Sequence, residues 1–161
     1  MKTLLLIRHA KAESPFSIND FDRALADRGK KDAADMAVRI RKKIPTIDAF
    51  VSSPAKRAKK TGEIFAAAYK KKPDELILVT SLYQATTETF ASVVSDLDDR
   101  FDTVALFSHN PGITYFAGTL SAVKIDHMPT SAVFAVRMEN DHWKNFAKAK
   151  KGFILFEWPG N

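Results

Sequence analysis

The chain alternates short apolar runs with longer stretches in which apolar residues recur every three or four positions. Leu4-Leu5-Leu6-Ile7 is an unbroken apolar run, the pattern of a strand buried on both faces, and residues 2–8 are predicted as the first strand. From Asp27 to Lys43 the residues Ala33, Met36, Ala37 and Ile40, with Ile44 just beyond, keep to one face of a helix, and Pro45 ends it. Residues 48–52 give a second strand. The helix after it runs to about Tyr69 with Ala58, Phe65 and Ala68 inward; Ser53 is its expected N-cap and Pro54 its first helical residue. Leu76-Ile77-Leu78-Val79 is the third strand. A helix from Thr87 to Arg100 buries Phe90, Val93, Val94 and Leu97, and residues 103–108 are the fourth strand. Asn110-Pro111 repeats the cap-then-proline signal and opens a helix to about Leu120. The last third differs: residues 132–138, 142–148 and 152–158 are predicted as strands, with Asn140-Asp141 as a turn.

Short α/β units with apolar strands predict an α/β fold. It is a three-layer sandwich, with a largely parallel central sheet, helices on both faces and antiparallel C-terminal strands. No repeat, low-complexity tract or linker interrupts the chain, and its 161 residues fit one domain, 1–161. A chain of this size buries roughly 70% of its unfolded surface.

Composition then narrows the chemistry. The chain has no cysteine, which excludes disulfides, thiolate metal sites and a cysteine nucleophile and fits a cytoplasmic protein. The apolar run near Met1 has about five residues, short of the roughly seven to fifteen of a signal peptide. No stretch approaches the roughly 20 apolar residues of a membrane span, so no membrane partner is expected. The net charge is +6, but the lysines are spread over Lys30-Lys31, Lys42-Lys43, Lys59-Lys60, Lys70-Lys71-Lys72 and Lys148 to Lys151. These are solvated helix faces rather than a nucleic-acid patch, although the charge draws in anionic substrates. No glycine-rich nucleotide loop is present, and the four histidines lack H-x-x-x-H spacing, so neither a nucleotide cofactor nor a metal is expected. His127 is an ordinary loop residue and His142 begins a strand after a turn, and Phe134, Phe146, Phe153, Phe156 and Trp158 are packing residues. The oligomeric state is left open.

The candidate chemistry sits at three strand exits. Arg8-His9-Ala10 follows the first strand, Ser52-Ser53-Pro54 with Arg57 follows the second, and Ser108-His109-Asn110-Pro111-Gly112 follows the fourth. Open α/β sheets bind ligands beyond the carboxyl ends of their strands. Two of the clusters are expected to open helices, whose N-termini favour anions. Helical side chains lean toward the N-terminus, so Arg57 can reach back to the strand exit. Each of these residues alone is an ordinary capping or surface residue; their joint placement predicts one anion site. It holds two guanidiniums, two imidazoles and two helix ends, with no obvious carboxylate of its own, and would suit a phosphoryl group.

Arg8-His9-Ala10 resembles the RHG/RHA signature of the histidine phosphatase superfamily, which includes the phosphoglycerate mutases. Ser52-Ser53-Pro54-Ala55-Lys56-Arg57-Ala58-Lys59-Lys60-Thr61 resembles its SSPxxRAxxT motif, and Ser108-His109-Asn110-Pro111 its second histidine motif, usually GHNP. The short length is similar to the small phosphohistidine phosphatases of the SixA type. Asp20-Phe21-Asp22-Arg23-Ala24-Leu25-Ala26-Asp27-Arg28-Gly29 resembles that branch's D-x-x-RPLTxRG element, departing at Ala24 and Ala26, as Ser108 departs from the usual glycine.

The resemblance implies double displacement: His9 is the nucleophile and Arg8, Arg57 and His109 stabilise the phosphoryl oxygens. Asp20, Arg23 and Asn110 bind or orient the substrate. No metal or cofactor is implied. Larger members supply a glutamate after the third strand, but Ser81-Leu82-Tyr83-Gln84-Ala85 holds no acid; Glu88 and Glu13 are the nearest candidates. A missing strong acid fits phosphohistidine, whose imidazole takes a proton from solvent as it leaves. The implied substrate is a phosphorylated histidine of an HPt-type signalling protein. A phosphatase for small phosphorylated metabolites, and a silent phosphate-binding module, are the alternatives.

Overall fold

The four apolar residues of the first strand are all fully buried, and they divide between two cores. Successive side chains of a strand point to opposite faces. In β1 (Lys2–Arg8) Leu4 and Leu6 therefore join one core, while Leu5 and Ile7 join the other. The structure is a computed structural model that describes residues 1–14, 16 and 19–161. The remaining elements are α1 (Asp27–Lys43), β2 (Ala49–Ser52), α2 (Lys56–Ala68), β3 (Ile77–Leu78), α3 (Thr87–Ser95), β4 (Thr103–Ser108), α4 (Gly112–Gly118), β5 (Val133–Met138) and β6 (Lys151–Glu157).

The strands form one sheet in the order β3-β2-β4-β1-β5-β6. The first four run parallel, and β5 and β6 pair antiparallel. The core with Leu5 and Ile7 holds Ala33, Met36, Ala37 and Ile40 of α1 and Phe65 of α2. The core with Leu4 and Leu6 holds Phe90 of α3, Ile113 and Phe116 of α4, and Trp143. The expected three-layer α/β sandwich is therefore the fold found. In register, β1 and β4 match Arg8 to Ser108, so His9 and His109 both stand one residue past the same rung.

Five expectations are corrected. The third strand shrinks to Ile77–Leu78, both exposed, because its outer side has no neighbour in the sheet. The helix after β2 starts at Lys56, two residues beyond Pro54, and Ala55 rather than Ser53 is its N-cap. Likewise α4 starts at Gly112 with Pro111 as N-cap, after a cis Asn110-Pro111 peptide. The helix from Thr87 stops at Ser95, where Asp96, Leu97, Asp98 and Asp99 give way to turns. Residues 142–148 form no strand: Trp143–Asn145 is a 3-10 turn that places Trp143 and Phe146, three apart, in the same core.

Candidate active site

Three strand exits deliver the site. Arg8, His9, Arg57 and His109 line a single cleft of about 970 Å³, together with Asp20, Arg23, Tyr83, Glu88 and Asn110. His9 and His109 are each 6% exposed and Arg57 5%, so their polar groups meet one another rather than bulk water. The rings of His9 and His109 lie 5.2 Å apart.

His9 is fixed by its own loop. Its Nδ1 lies 2.8 Å from the carbonyl oxygen of Ala10, and a carbonyl only accepts, so Nδ1 carries the proton and Nε2 keeps a lone pair. That lone pair accepts from Arg57 Nε at 3.3 Å. Burial first, then the charges of Arg57, Arg8 and Arg23, push the His9 imidazole down to about 4; its bond to Ala10 opposes the shift.

His109 is held by Ser53. The Ser53 hydroxyl accepts from the Ala55 N–H at 3.2 Å, which directs its own hydrogen to His109 Nε2 at 2.8 Å. Nδ1 is then the N–H of a neutral ring, and it is buried with no partner. An orphan donor is costly unless something accepts from it, and an oxyanion beside His9 would do so. Burial first, then His9 and Arg57, lower the His109 imidazole to about 3.

The second-strand motif is explained by two of its side chains. Thr61 donates to the Arg57 carbonyl at 2.7 Å and accepts from the Ala10 N–H at 2.9 Å. It thereby clamps the loop after β1 to α2, bringing His9 to Arg57. Ser53 leaves its expected capping role and orients His109 instead. Arg8 donates to the Met128 carbonyl at 3.0 Å, and its buried Nε has no partner. Asn110 uses its amide on protein groups: Nδ2 donates to Met128 O at 3.1 Å and Oδ1 accepts from Thr114 at 2.5 Å. Ser108, where glycine is usual, donates to the Leu82 carbonyl at 2.6 Å and so ties the β4 exit to the segment before Tyr83.

The three strand exits bring no carboxylate of their own, but Asp20, which the resemblance assigns to the substrate, lies in the cleft. Asp20 Oδ2 accepts from Arg57 at 3.0 Å, its backbone oxygen accepts from the same guanidinium at 2.6 Å, and Oδ1 accepts from Arg23 at 3.1 Å. The loop after β1 turns back through a bridge between Ala12 and Leu25, and this return carries Asp20 to Arg57. Tyr83 is the residue the sequence reading misses. Its hydroxyl donates to Asp20 Oδ2 at 2.6 Å, and its ring packs edge-on against His109 and Phe21. Within Ser81–Ala85, where the resemblance places an acid, the structure supplies this phenol. Bonds from Tyr83, then from Arg57 and Arg23, hold Asp20 ionised well below the usual carboxylate range. Glu88 lines the cleft from the first turn of α3, and Gln84 beside Tyr83 has a left-handed backbone, φ 58°. Among the described residues, no three His, Asp or Glu side chains gather as a metal-binding group. No described helix is long and apolar enough to cross a membrane.

Known proteins share the sequence pattern and the fold. The model of the histidine phosphatase superfamily (branch 1) matches residues 4–82. An uncharacterised protein of Mycobacterium tuberculosis is 26% identical, over 95% of this chain and 99% of its own length. The crystal structure of a candidate phosphohistidine phosphatase SixA from Agrobacterium tumefaciens superposes with a TM-score of 0.80 at 23% identity, covering 99% of both chains. The protein histidine phosphatase SixA complexed with tungstate gives 0.82 at 19% identity, covering 98% of this chain and 97% of that one. Residues 4–82 match the model of the histidine phosphatase superfamily (branch 1), and the chain as a whole carries the fold of the SixA structures.

Proposed function

We propose that the chain is a phosphohistidine phosphatase working through a phosphorylated His9. One observation carries this reading: His9 Nδ1 is anchored on Ala10 O at 2.8 Å, which leaves Nε2 unprotonated beside the Arg57 guanidinium. In the first step the Nε2–P bond forms while the bond from phosphorus to the leaving nitrogen breaks, and that nitrogen takes a proton from solvent. In the second step water attacks phosphorus, the Nε2–P bond breaks, and inorganic phosphate leaves with the hydroxyl and a proton. Arg8, Arg57 and the His109 Nδ1–H face the charge that develops on the phosphoryl oxygens, which is the main demand of phosphoryl transfer. Asp20 and Arg23 hold the substrate side of the cleft, and Asn110 braces its floor.

The lack of a poised acid among the described residues supports a phosphoramidate substrate. Asp20 stays ionised and cannot protonate an alkoxide, and Glu88 is exposed on α3. A departing imidazole needs less help, so a phosphorylated histidine of an HPt-type protein in the cytoplasm is the substrate proposed. Guanidiniums carry the charge that a metal would otherwise neutralise, and turnover is expected to persist in EDTA.

The test is to incubate the chain with HPt protein phosphorylated on histidine and, separately, with sugar phosphates and an aryl phosphate. Faster release from the phosphohistidine is expected. Equal or better turnover of sugar phosphates would defeat the preference. His9→Ala should abolish both turnover and the acid-labile phosphoprotein trapped from the parent chain; a variant that still traps phosphate contradicts the assignment of the nucleophile.

A further inference from the structure

Arg57 reaches its catalytic position from inside α2, so its long side chain must be aimed. A guanidinium has five donors in one plane, and fixing one edge fixes the other. In this chain the outer edge is held entirely by Asp20: Nη1 donates to its backbone oxygen at 2.6 Å and Nη2 to its Oδ2 at 3.0 Å. The inner edge is then left with Nε pointing at His9 Nε2, 3.3 Å away.

Asp20 is itself half exposed and comes from the loop after β1, so something must aim it in turn. Arg23 takes Oδ1 from three residues along, but that bond lies within the same short turn and sets no distance to the rest of the cleft. Tyr83 does set one. It enters from the opposite side, 63 residues away, and donates to the same Oδ2 that receives Arg57, at 2.6 Å. Its ring is wedged between His109 and Phe21, and its preceding residue is tied to Ser108. The hydroxyl is therefore anchored to the second-histidine side of the cleft.

We propose that Tyr83 is a positioning residue: acting through Asp20, its hydroxyl sets the Arg57 guanidinium against His9. The order of contacts is Tyr83 Oη–H to Asp20 Oδ2, Asp20 to Arg57 Nη1 and Nη2, and Arg57 Nε to His9 Nε2. Tyr83 itself needs no contact with the reacting atoms. The shared carboxylate also neutralises charge on Arg57 and Arg23, so the cleft tolerates three arginines. The inference rests on the phosphatase reading, because it assigns Arg57 to the phosphoryl group.

A double-mutant cycle tests it, read both as kcat and as binding of orthovanadate. Tyr83→Phe keeps the ring that packs on His109 and removes only the hydroxyl. In the parent chain it should lower kcat and vanadate affinity by about tenfold, the size expected for one charge-assisted hydrogen bond. KM should move less than about threefold, since Arg8 and His109 still meet the ground-state anion. In an Asp20→Ala background the same substitution should change neither quantity by more than about twofold, because the relay is already cut. An equal loss in both backgrounds would show that Tyr83 acts without Asp20 and would overturn the proposal. So would an unchanged parent-background kcat, or tighter vanadate binding, which would mean that Asp20 competes with the oxyanion. If no phosphorylated compound turns over, the phosphatase reading fails, yet the vanadate cycle still decides the relay. If vanadate does not bind the parent chain, Arg57 has no oxyanion to serve and the relay falls too.

Discussion

His9 illustrates how a site selects the form of a residue that it needs. Burial and three nearby guanidiniums all disfavour the imidazolium, and the bond to Ala10 settles which nitrogen keeps the proton. The proposed nucleophile thus needs no base to deprotonate it. The dependence of kcat/KM on pH reports the free enzyme. Its acid limb is therefore expected near pH 4, the value to which His9 is lowered, rather than near the ordinary 6.5. A profile of phosphoenzyme formation from pH 3.5 to 7.5 checks this, and an acid limb centred above pH 6 would refute it. Arg8, His9, Arg57 and His109 were all legible as candidates because each lies at a strand exit or in the helix just after one, with a distinctive neighbour. The Asp20 contact to Arg57 and the whole of Tyr83 were not. Both depend on how a long loop folds back onto a helix from elsewhere in the chain, and no local periodicity encodes that return.

Among the elements, α1 was the most legible. Its apolar face repeats every three to four residues, its last turn is basic (Arg41, Lys42, Lys43), and Pro45 follows. Its start carries a flaw that the sequence also displays. Ala26 is the N-cap and has no side chain with which to accept from the first turn, whereas the related element carries threonine there. Ala26→Thr is expected to stabilise the chain by about 1 kcal/mol, the usual value of such a cap, seen as a higher melting temperature. An unchanged or lower one would mean that the cap is not what limits this helix end. The misjudged elements share a cause. Residues 142–148 alternate well enough for a strand, but Trp143 and Phe146 both enter the core beneath β1, which requires a period of three. Leu76-Ile77-Leu78-Val79 is apolar enough to look buried, but its position at the sheet edge leaves Ile77 and Leu78 exposed.

For the whole molecule, two buried imidazoles that resist protonation make stability depend on acid. The unfolded chain binds protons on these histidines below its ordinary pKa of about 6.5, while the folded one resists until about 4 for His9 and about 3 for His109. Between those limits the unfolded state holds more protons, so stability falls as the pH falls. The contribution is fully present above about pH 6.5 and is lost on the way down, with a slope of at most about 1.4 kcal/mol per pH unit for each histidine. Chemical denaturation of the parent chain and of a His9→Gln/His109→Gln variant at pH 4.5, 5.5 and 7 checks it. The variant should show the flatter dependence, and parallel curves would rule the histidines out as its source. The shared rung of β1 and β4 has a consequence for how this molecule can change over generations. Both imidazoles are counted off from Arg8 and Ser108, and one inserted residue in either strand would turn its histidine toward the opposite face of the sheet. Lengthening is ruinous in these two strands, so the backbone ladder serves as a ruler that fixes the gap between the two histidines.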